Sequence, residues 1–322
     1  MKLRVPAFYR DFACIAGACP DSCCQGWEVD ADAASMNFYR TLPPSEIRER
    51  IFSVLDKDEY GNTIFRLAKQ KRCPFLNADN LCDMHIAIGG EHTPYTCRTF
   101  PRFINDFGGL REMGLSFSCP VAAEMMFDPK YDFSFSEQVN DLPPTLNDID
   151  ARLYFALLSA RKTAYDLVQD LSKPLAQCLA ELLDFAEELQ AEIGPLPSAC
   201  AHLSFAKVFD NPERINPEWT EKVAAGAWTA PVTESHFGRQ IAMYFLFRYF
   251  LPLGLEGDVL SAAKMAVVGV LVPACFGTDS WVMHLWSKET EHSDVNMERY
   301  RRLLRTADCL TVEALKSRLI KK

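Results

Sequence analysis

Eight cysteines crowd the first 119 residues of this 322-residue chain, at Cys14, Cys19, Cys23, Cys24, Cys73, Cys82, Cys97 and Cys119, and they constrain it more than any other feature. The remainder holds four more, Cys178, Cys200, Cys275 and Cys309. Arg4, Arg10 and Asp11 break up Met1–Ala18, leaving no apolar run of signal-peptide length and predicting a reducing, cytoplasmic compartment. Disulfides do not persist there, so a dense set of thiols is expected to hold a metal or to do redox work.

The spacings are Cys14-x4-Cys19-x3-Cys23-Cys24 and Cys73-x8-Cys82-x14-Cys97-x21-Cys119. Cys-x-x-Cys is absent, which argues against thioredoxin-type chemistry and the tightest zinc knuckles, and the usual ferredoxin runs are absent too. Consecutive side chains diverge, so Cys23 and Cys24 close awkwardly on one tetrahedral ion; ligands to different irons, or two sites, suit them better. An iron–sulfur cluster of the 4Fe–4S type is the expected occupant, zinc the alternative, and eight thiols packed as small hydrophobes the blandest reading. Cys19-Pro20, Cys73-Pro74 and Cys119-Pro120 keep those cysteines out of α conformation, as suits ligands presented from loops.

Composition narrows the classes. At 48% hydrophobic and 24% charged the chain has material for a packed core. No uncharged apolar stretch reaches the roughly 18 residues of a spanning helix. Ile241–Leu255 and Val259–Phe276 come nearest but carry Arg248 and Lys264, so both read as core helices and no membrane partner is expected. A net charge of −9 excludes nonspecific nucleic-acid binding, which needs a dense basic face. Arg299, Arg301, Arg302, Arg305, Lys316, Arg318, Lys321 and Lys322 form a local exception, read as a solvated helix face or a dock for an acidic partner. Asp56-Asp58-Glu59 and Glu187-Glu188 read as solvated.

The expected fold is mainly α: an irregular, cysteine-rich metal-binding module over 1–127, a connecting strap over 128–150, and a helical domain over 151–322 on which the module packs. Within 1–127 a short strand is expected at Trp27–Asp30, a helix N-cap at Asp32 and a helix over Pro44–Leu55. Leu153, Ala156, Leu157, Ala160, Ala164, Leu167 and Leu171 form one helical stripe. Leu175, Cys178, Leu179, Leu182, Ala186, Leu189 and Ile193 form another, entered through Ser172 and Pro174 and closed by Gly194–Pro197. Further helices are predicted at about 234–251, 257–273, 294–308 and 311–320, with Pro252 and Pro273 as stops. Cys178 lies in a stripe, and Cys200, Cys275 and Cys309 share no spacing, so these four read as inert.

Asp21-Ser22-Cys23-Cys24-Gln25-Gly26-Trp27, Cys73-Pro74-Phe75-Leu76, Leu81-Cys82, Thr96-Cys97-Arg98-Thr99-Phe100-Pro101-Arg102 and Leu115-Ser116-Phe117-Ser118-Cys119-Pro120, preceded by Cys14 and Cys19, resemble the flagellin lysine-N-methylase family over about 1–127. What the resemblance implies is methyl transfer from S-adenosyl-L-methionine to lysine amines of flagellin, with an iron–sulfur cluster on the eight cysteines. A noncatalytic iron- or zinc-binding or electron-transfer module is the alternative. The residues themselves carry no G-x-G, hence no Rossmann-type donor loop. Cys24 directly after Cys23 also departs from the Cys-x3-Cys-x2-Cys run of radical enzymes.

Direct displacement needs only a deprotonated amine held in line with the methyl group. Tyr95, Asp21 and Asp83 are candidates to assist it, or else structural hydrogen-bonding groups. Arg98 and Arg102 are candidates to bind the cofactor, neutralising a thiolate cluster or gripping a carboxylate, against ordinary salt bridging. His85, three residues after Cys82, is a possible further ligand or a surface histidine.

Overall fold

The structure of the chain is a computed structural model describing residues 1–58, 60–141, 143–145, 148–196, 201–228, 232 and 234–319. Glu59, Pro197, Cys200, Lys321 and Lys322, all named above, lie outside the described residues. In chain order the elements are β1 (Lys2–Pro6), β2 (Val29–Asp30), α1 (Ala33–Thr41), α2 (Glu46–Ser53), β3 (Leu55–Lys57), β4 (Thr63–Phe65), α3 (Asp83–Ile88), α4 (Tyr95–Thr99), β5 (Arg102–Phe107), β6 (Leu110–Leu115), α5 (Pro120–Phe127) and β7 (Phe135–Val139). There follow α6 (Ala151–Val168), α7 (Leu175–Ile193), α8 (Pro217–Ala225), α9 (His236–Leu255), α10 (Val259–Phe276), α11 (Ser280–Glu291), α12 (Asp294–Thr306) and α13 (Val312–Leu319). The protein is mainly helical, as its sequence predicts. It divides into a smaller unit, Ala13–Phe103 with Cys119–Val121, and a larger one, Met1–Phe12, Ile104–Ser118 and Ala122 onward.

The smaller unit is built from short pieces. Asp32 caps α1, its carboxylate accepting the Ser35 N–H at 3.0 Å, and Leu42 before Pro43 ends that helix. Helix α2 stops at Ser53, short of the expected 55, because Leu55 pairs across to Phe65 in the sheet β2-β4-β3. Tyr39, Ile51, Phe65, Phe75 and Met84 form its core, and Cys73 and Cys82 pack against them.

The larger unit contains a sheet that the periodicities do not predict. Its order is β5-β6-β1-β7, with β1 parallel to β6 and antiparallel to β7. The stretch read as a strap thus supplies a strand. Strand β6 buries Glu112, which accepts Arg161 from α6 at 2.6 and 2.7 Å and Arg4 from β1 at 2.9 Å. Helix α6 is rotated to suit: Leu157, Arg161, Ala164 and Val168 are buried, whereas Ala156 and Leu171 of the expected stripe are exposed. In α7 the stripe from Leu175 to Ala186 is buried as expected, Cys178 within it.

Neither Pro252 nor Pro273 ends a helix; both lie inside, in α9 and α10. A proline at 252 has no N–H for the Arg248 carbonyl one turn back. Asn105 supplies the missing donor, its Nδ2 reaching that oxygen at 2.9 Å. Helix α10 is long and apolar enough to cross a bilayer, yet 94% of it is buried in the fold, as a core helix. Its Lys264 is bonded to the Leu304 carbonyl at 2.8 Å. The sequence does not predict helices α3, α4, α5, α8 and α11.

The described basic residues of the C-terminal stretch are half-exposed or exposed, and several are paired within the fold. Arg305 pairs with Asp258 and Lys316 with Asp184, Arg301 pairs with Glu256, and Arg299 donates to the carbonyls of Lys207 and Val208. In the α9–α10 packing, a Cβ at Gly269 would overlap the Phe245 ring. Gly269→Ala is expected to destabilise the fold by about 1–3 kcal/mol despite alanine's better helix propensity. Urea unfolding checks this, and an unchanged midpoint would count against the close approach.

Candidate metal centre

All eight cysteines of the N-terminal set lie in the smaller unit. The first four follow one another along a loop with a single 3-10 turn at Ala16–Ala18. There the Cys14 sulfur accepts the Ala16 N–H at 3.4 Å, and the Cys19 thiol donates to the Asp21 carbonyl at 3.2 Å. Cys24 is fixed through its backbone: its N–H bonds Ser22 Oγ at 3.2 Å and its carbonyl accepts the Cys73 N–H at 2.8 Å. This last bond ties the first loop to the second.

Cys73 and Cys82 flank a tight turn clasped by Asn77, whose Oδ1 accepts the N–H groups of Asp79 and Leu81 at 3.0 Å. The backbone amides of Phe75 and Leu76 act to lower the Cys73 thiol, and those of Met84 and His85 the Cys82 thiol, each against the larger raising effect of burial. Such donors stabilise a thiolate, as metal ligation requires. Cys97 rides on α4, whose first N–H, from Tyr95, is held by Asp32 at 2.8 Å. Trp27 and Phe100 pair with ring centroids 6.0 Å apart.

These thiols feel one another. Burial raises Cys73 to about 12, and the charges of Cys24 and Cys82 add to the effect. Cys97 is exposed as a residue, yet desolvation of its sulfur and the charges of Cys24, Cys73 and Cys82 raise it well above its ordinary value. Burial, with the charge of Cys24 adding, also raises Cys82. The neighbours Cys23 and Cys24 shift in opposite directions: interaction with Cys24 and burial raise Cys23, and interaction with Cys23 lowers Cys24, against burial and with help from Ser22 and Arg72. Cys14 also acts on Cys23, so Cys14, Cys23, Cys24, Cys73, Cys82 and Cys97 each lie within electrostatic reach of another of the set. That reach is longer than a metal–sulfur bond of about 2.3 Å. Among the described residues no three Cys, His, Asp or Glu side chains stand as a ready ligand set for one ion. Soft donors on several loops, with N–H bonds to sulfur and the cations Arg72 and Arg98 beside them, fit a thiolate-bound cluster.

The Cys24 thiol is held below its ordinary value, whereas Cys23, Cys73, Cys82 and Cys97 are held above theirs. In the metal-free chain iodoacetamide is therefore expected to alkylate Cys24 at lower pH than those four. Mass spectrometry across a pH series checks this; a midpoint near the ordinary thiol value would contradict it.

The other candidates fare differently. Asp83 is held below the usual carboxylate range by Arg50 at 2.6 Å, with Asn77 also bonded to it, so it is a structural carboxylate. The His85 ring packs over Gly90, where a Cβ would meet Cε1 at 2.8 Å. Tyr95 is 51% exposed. Arg98 bonds the carbonyls of Thr93 and Glu91, and its charge lowers Cys97 slightly against the larger raising effects. Arg102 opens β5.

Two contributors carry no motif. Arg50 bonds Asp83 and the Pro74 carbonyl and lies over the Phe75 ring, gripping both ends of the Cys73–Cys82 turn. Arg72 bonds the Asn77 carbonyl at 3.2 Å and lowers Cys24. A single arginine on a short helix or in a loop leaves no sequence signal of this kind. In the larger unit, Ser116 and Ser118 of the last motif join a polar network: Ser118 meets His292, and Arg248 bonds Ser116 at 3.1 Å and pairs with Glu291 at 3.0 Å.

Three relatives define the likeness to known proteins. Flagellar biosynthetic protein FliU of Salmonella muenchen is 29% identical over 129 residues, covering 38% of this chain and 76% of FliU. The proteins named lysine-N-methylase from Salmonella choleraesuis and Salmonella typhimurium are each 29% identical over 129 residues, 38% of this chain but only 32% of theirs. The resemblance to the lysine-N-methylase family thus holds for a little over a third of the chain. No family model and no solved structure matches.

Proposed function

We propose that the chain is a cytoplasmic protein-lysine N-methyltransferase of the flagellin lysine-N-methylase type, with an iron–sulfur cluster on its N-terminal cysteines. The observation that carries this reading is the gathering of eight thiols into one compact unit, in a chain whose relatives bear the lysine-N-methylase name. Cys14, Cys19, Cys23, Cys24, Cys73, Cys82, Cys97 and Cys119, all within the same unit, would hold the cluster. When bound, the cluster supplies either a structural staple or a Lewis-acidic iron for the amino and carboxylate groups of S-adenosyl-L-methionine.

The chemistry asked of the chain is modest. A lysine amine attacks the sulfonium methyl, the S–CH3 bond breaks, and the amine's proton leaves to a base or water. The chain's part is to hold donor and lysine in line and keep the amine desolvated enough to lose its proton near neutrality. Arg72 and Arg98 offset the thiolate charge. Asp83, committed to Arg50, is not the base.

Anaerobic iron and acid-labile sulfide analysis, followed by transfer of labelled methyl from S-adenosyl-L-methionine to flagellin, tests both parts. A brown protein absorbing broadly at about 400 nm, and labelled flagellin, are expected. Stoichiometric zinc in a colourless protein overturns the cluster. An intact cluster without transfer overturns the enzyme and leaves a metal-binding or electron-transfer module.

A further inference from the structure

The turn that leads into Cys73 is strained and cationic at once. Gln70 and Lys71 follow one another in the left-handed region, at φ 60° and 54°, a conformation that costs a residue with a Cβ and that glycine adopts freely. Neighbouring backbone holds them there. The Ala68 N–H donates to the Arg72 carbonyl at 2.8 Å, and the Gly26 N–H to the Lys71 carbonyl at 3.0 Å. Gln25 Nε2 adds a longer bond to the Gln70 carbonyl at 3.5 Å. The turn is thereby fastened to the loop that carries Cys23 and Cys24.

Lys69, Gln70 and Lys71 are exposed, and among the described residues neither lysine pairs with a carboxylate. Arg72, bonded to the neutral oxygens of Asn77 and Asn80, puts a third cation within four residues. Mutual repulsion and backbone strain both work against the fold here, and strain of this kind collects where a chain meets a ligand. We propose that Lys69, Lys71 and Arg72 form a docking surface for an acidic segment of the protein substrate, holding it beside the cysteine loop. The complement is an extended stretch bearing several carboxylates, because an exposed turn meets a chain laid across it and does not enclose a small anion. That the docked protein accepts methyl groups rests on the function proposed above; the surface itself does not.

The test uses the full-length chain and two fluorescein-labelled peptides read by anisotropy, a lysine flanked on both sides by pairs of glutamates and the same peptide with glutamines in their place. The acidic peptide is expected to bind at least about tenfold tighter, an advantage that shrinks as salt rises from about 0.05 to 0.5 M. Lys69→Glu/Lys71→Glu is expected to weaken its binding by at least about tenfold, with circular dichroism and iron content unchanged. Lys71→Gly removes a cation and relieves the strain together. It is expected to bind the acidic peptide more weakly while its urea midpoint stays at or above that of the wild type, which separates lost binding from lost fold. Equal affinity for the two peptides, wild-type affinity in Lys69→Glu/Lys71→Glu, or tighter binding of an oligothymidylate of the same net charge overturns the docking surface. Methyl transfer to flagellin with one KM in the wild type and the double variant also overturns it, leaving the enzyme in place. Peptide binding that the double variant loses, in a chain that transfers no methyl, overturns only the methyltransferase reading.

Discussion

Cys24→Ser is expected to lower iron and sulfide incorporation into the anaerobically reconstituted chain by more than about tenfold, and methyl transfer with it. Among the eight thiols, Cys24 is the one whose charge reaches Cys23, Cys73, Cys82 and Cys97, and its carbonyl also anchors Cys73. Losing it removes a ligand from the middle of the group. Cys309→Ser, in the larger unit, is the control and is expected to keep full iron content with unchanged circular dichroism. Iron loss in both variants would move the metal elsewhere. Full loading of Cys24→Ser would show that the cluster does not need Cys24.

Arg161→Met is expected to cost about 3–5 kcal/mol of stability, read as a lower urea midpoint. Glu112 is fully buried and Arg161 is 1% exposed, so removing the guanidinium strands a carboxylate in the interior with Arg4 as its remaining cation. Arg161 also lies over the rings of Tyr165 and Phe247, contacts that methionine partly keeps. The comparison that isolates the charge is the double variant Glu112→Met/Arg161→Met, which is expected to recover most of the loss because no ion is left to desolvate. A single-variant cost below about 1 kcal/mol would mean that water reaches Glu112.

Much of the helical architecture is legible from periodicity because α7 buries an apolar stripe, while α9 and α10 are apolar almost throughout. The sheet is not legible. Strand β6 alternates buried and half-buried positions, but one buried position is Glu112, which cancels the period-2 pattern. Its partner β1 lies more than a hundred residues away, beyond any local signal. Helix α11 hides for a similar reason: His284, Ser287 and Lys288 are buried in it, so no apolar stripe announces it. In the candidate centre the cysteine order is plain in the sequence, whereas the grip of Arg50 and the charge of Arg72 follow from how loops meet. Asp83 and His85 look chemical by position alone; Arg50 and Gly90 account for them structurally.

The amide of Asn105 over the Arg248 carbonyl makes two distant positions interdependent. With proline at 252 the amide is a prosthesis for an absent backbone donor; with any other residue there, the same amide would compete with a restored N–H for one oxygen. Asparagine at 105 and proline at 252 thus behave as one inherited choice, and a change tolerated at either depends on what occupies the other.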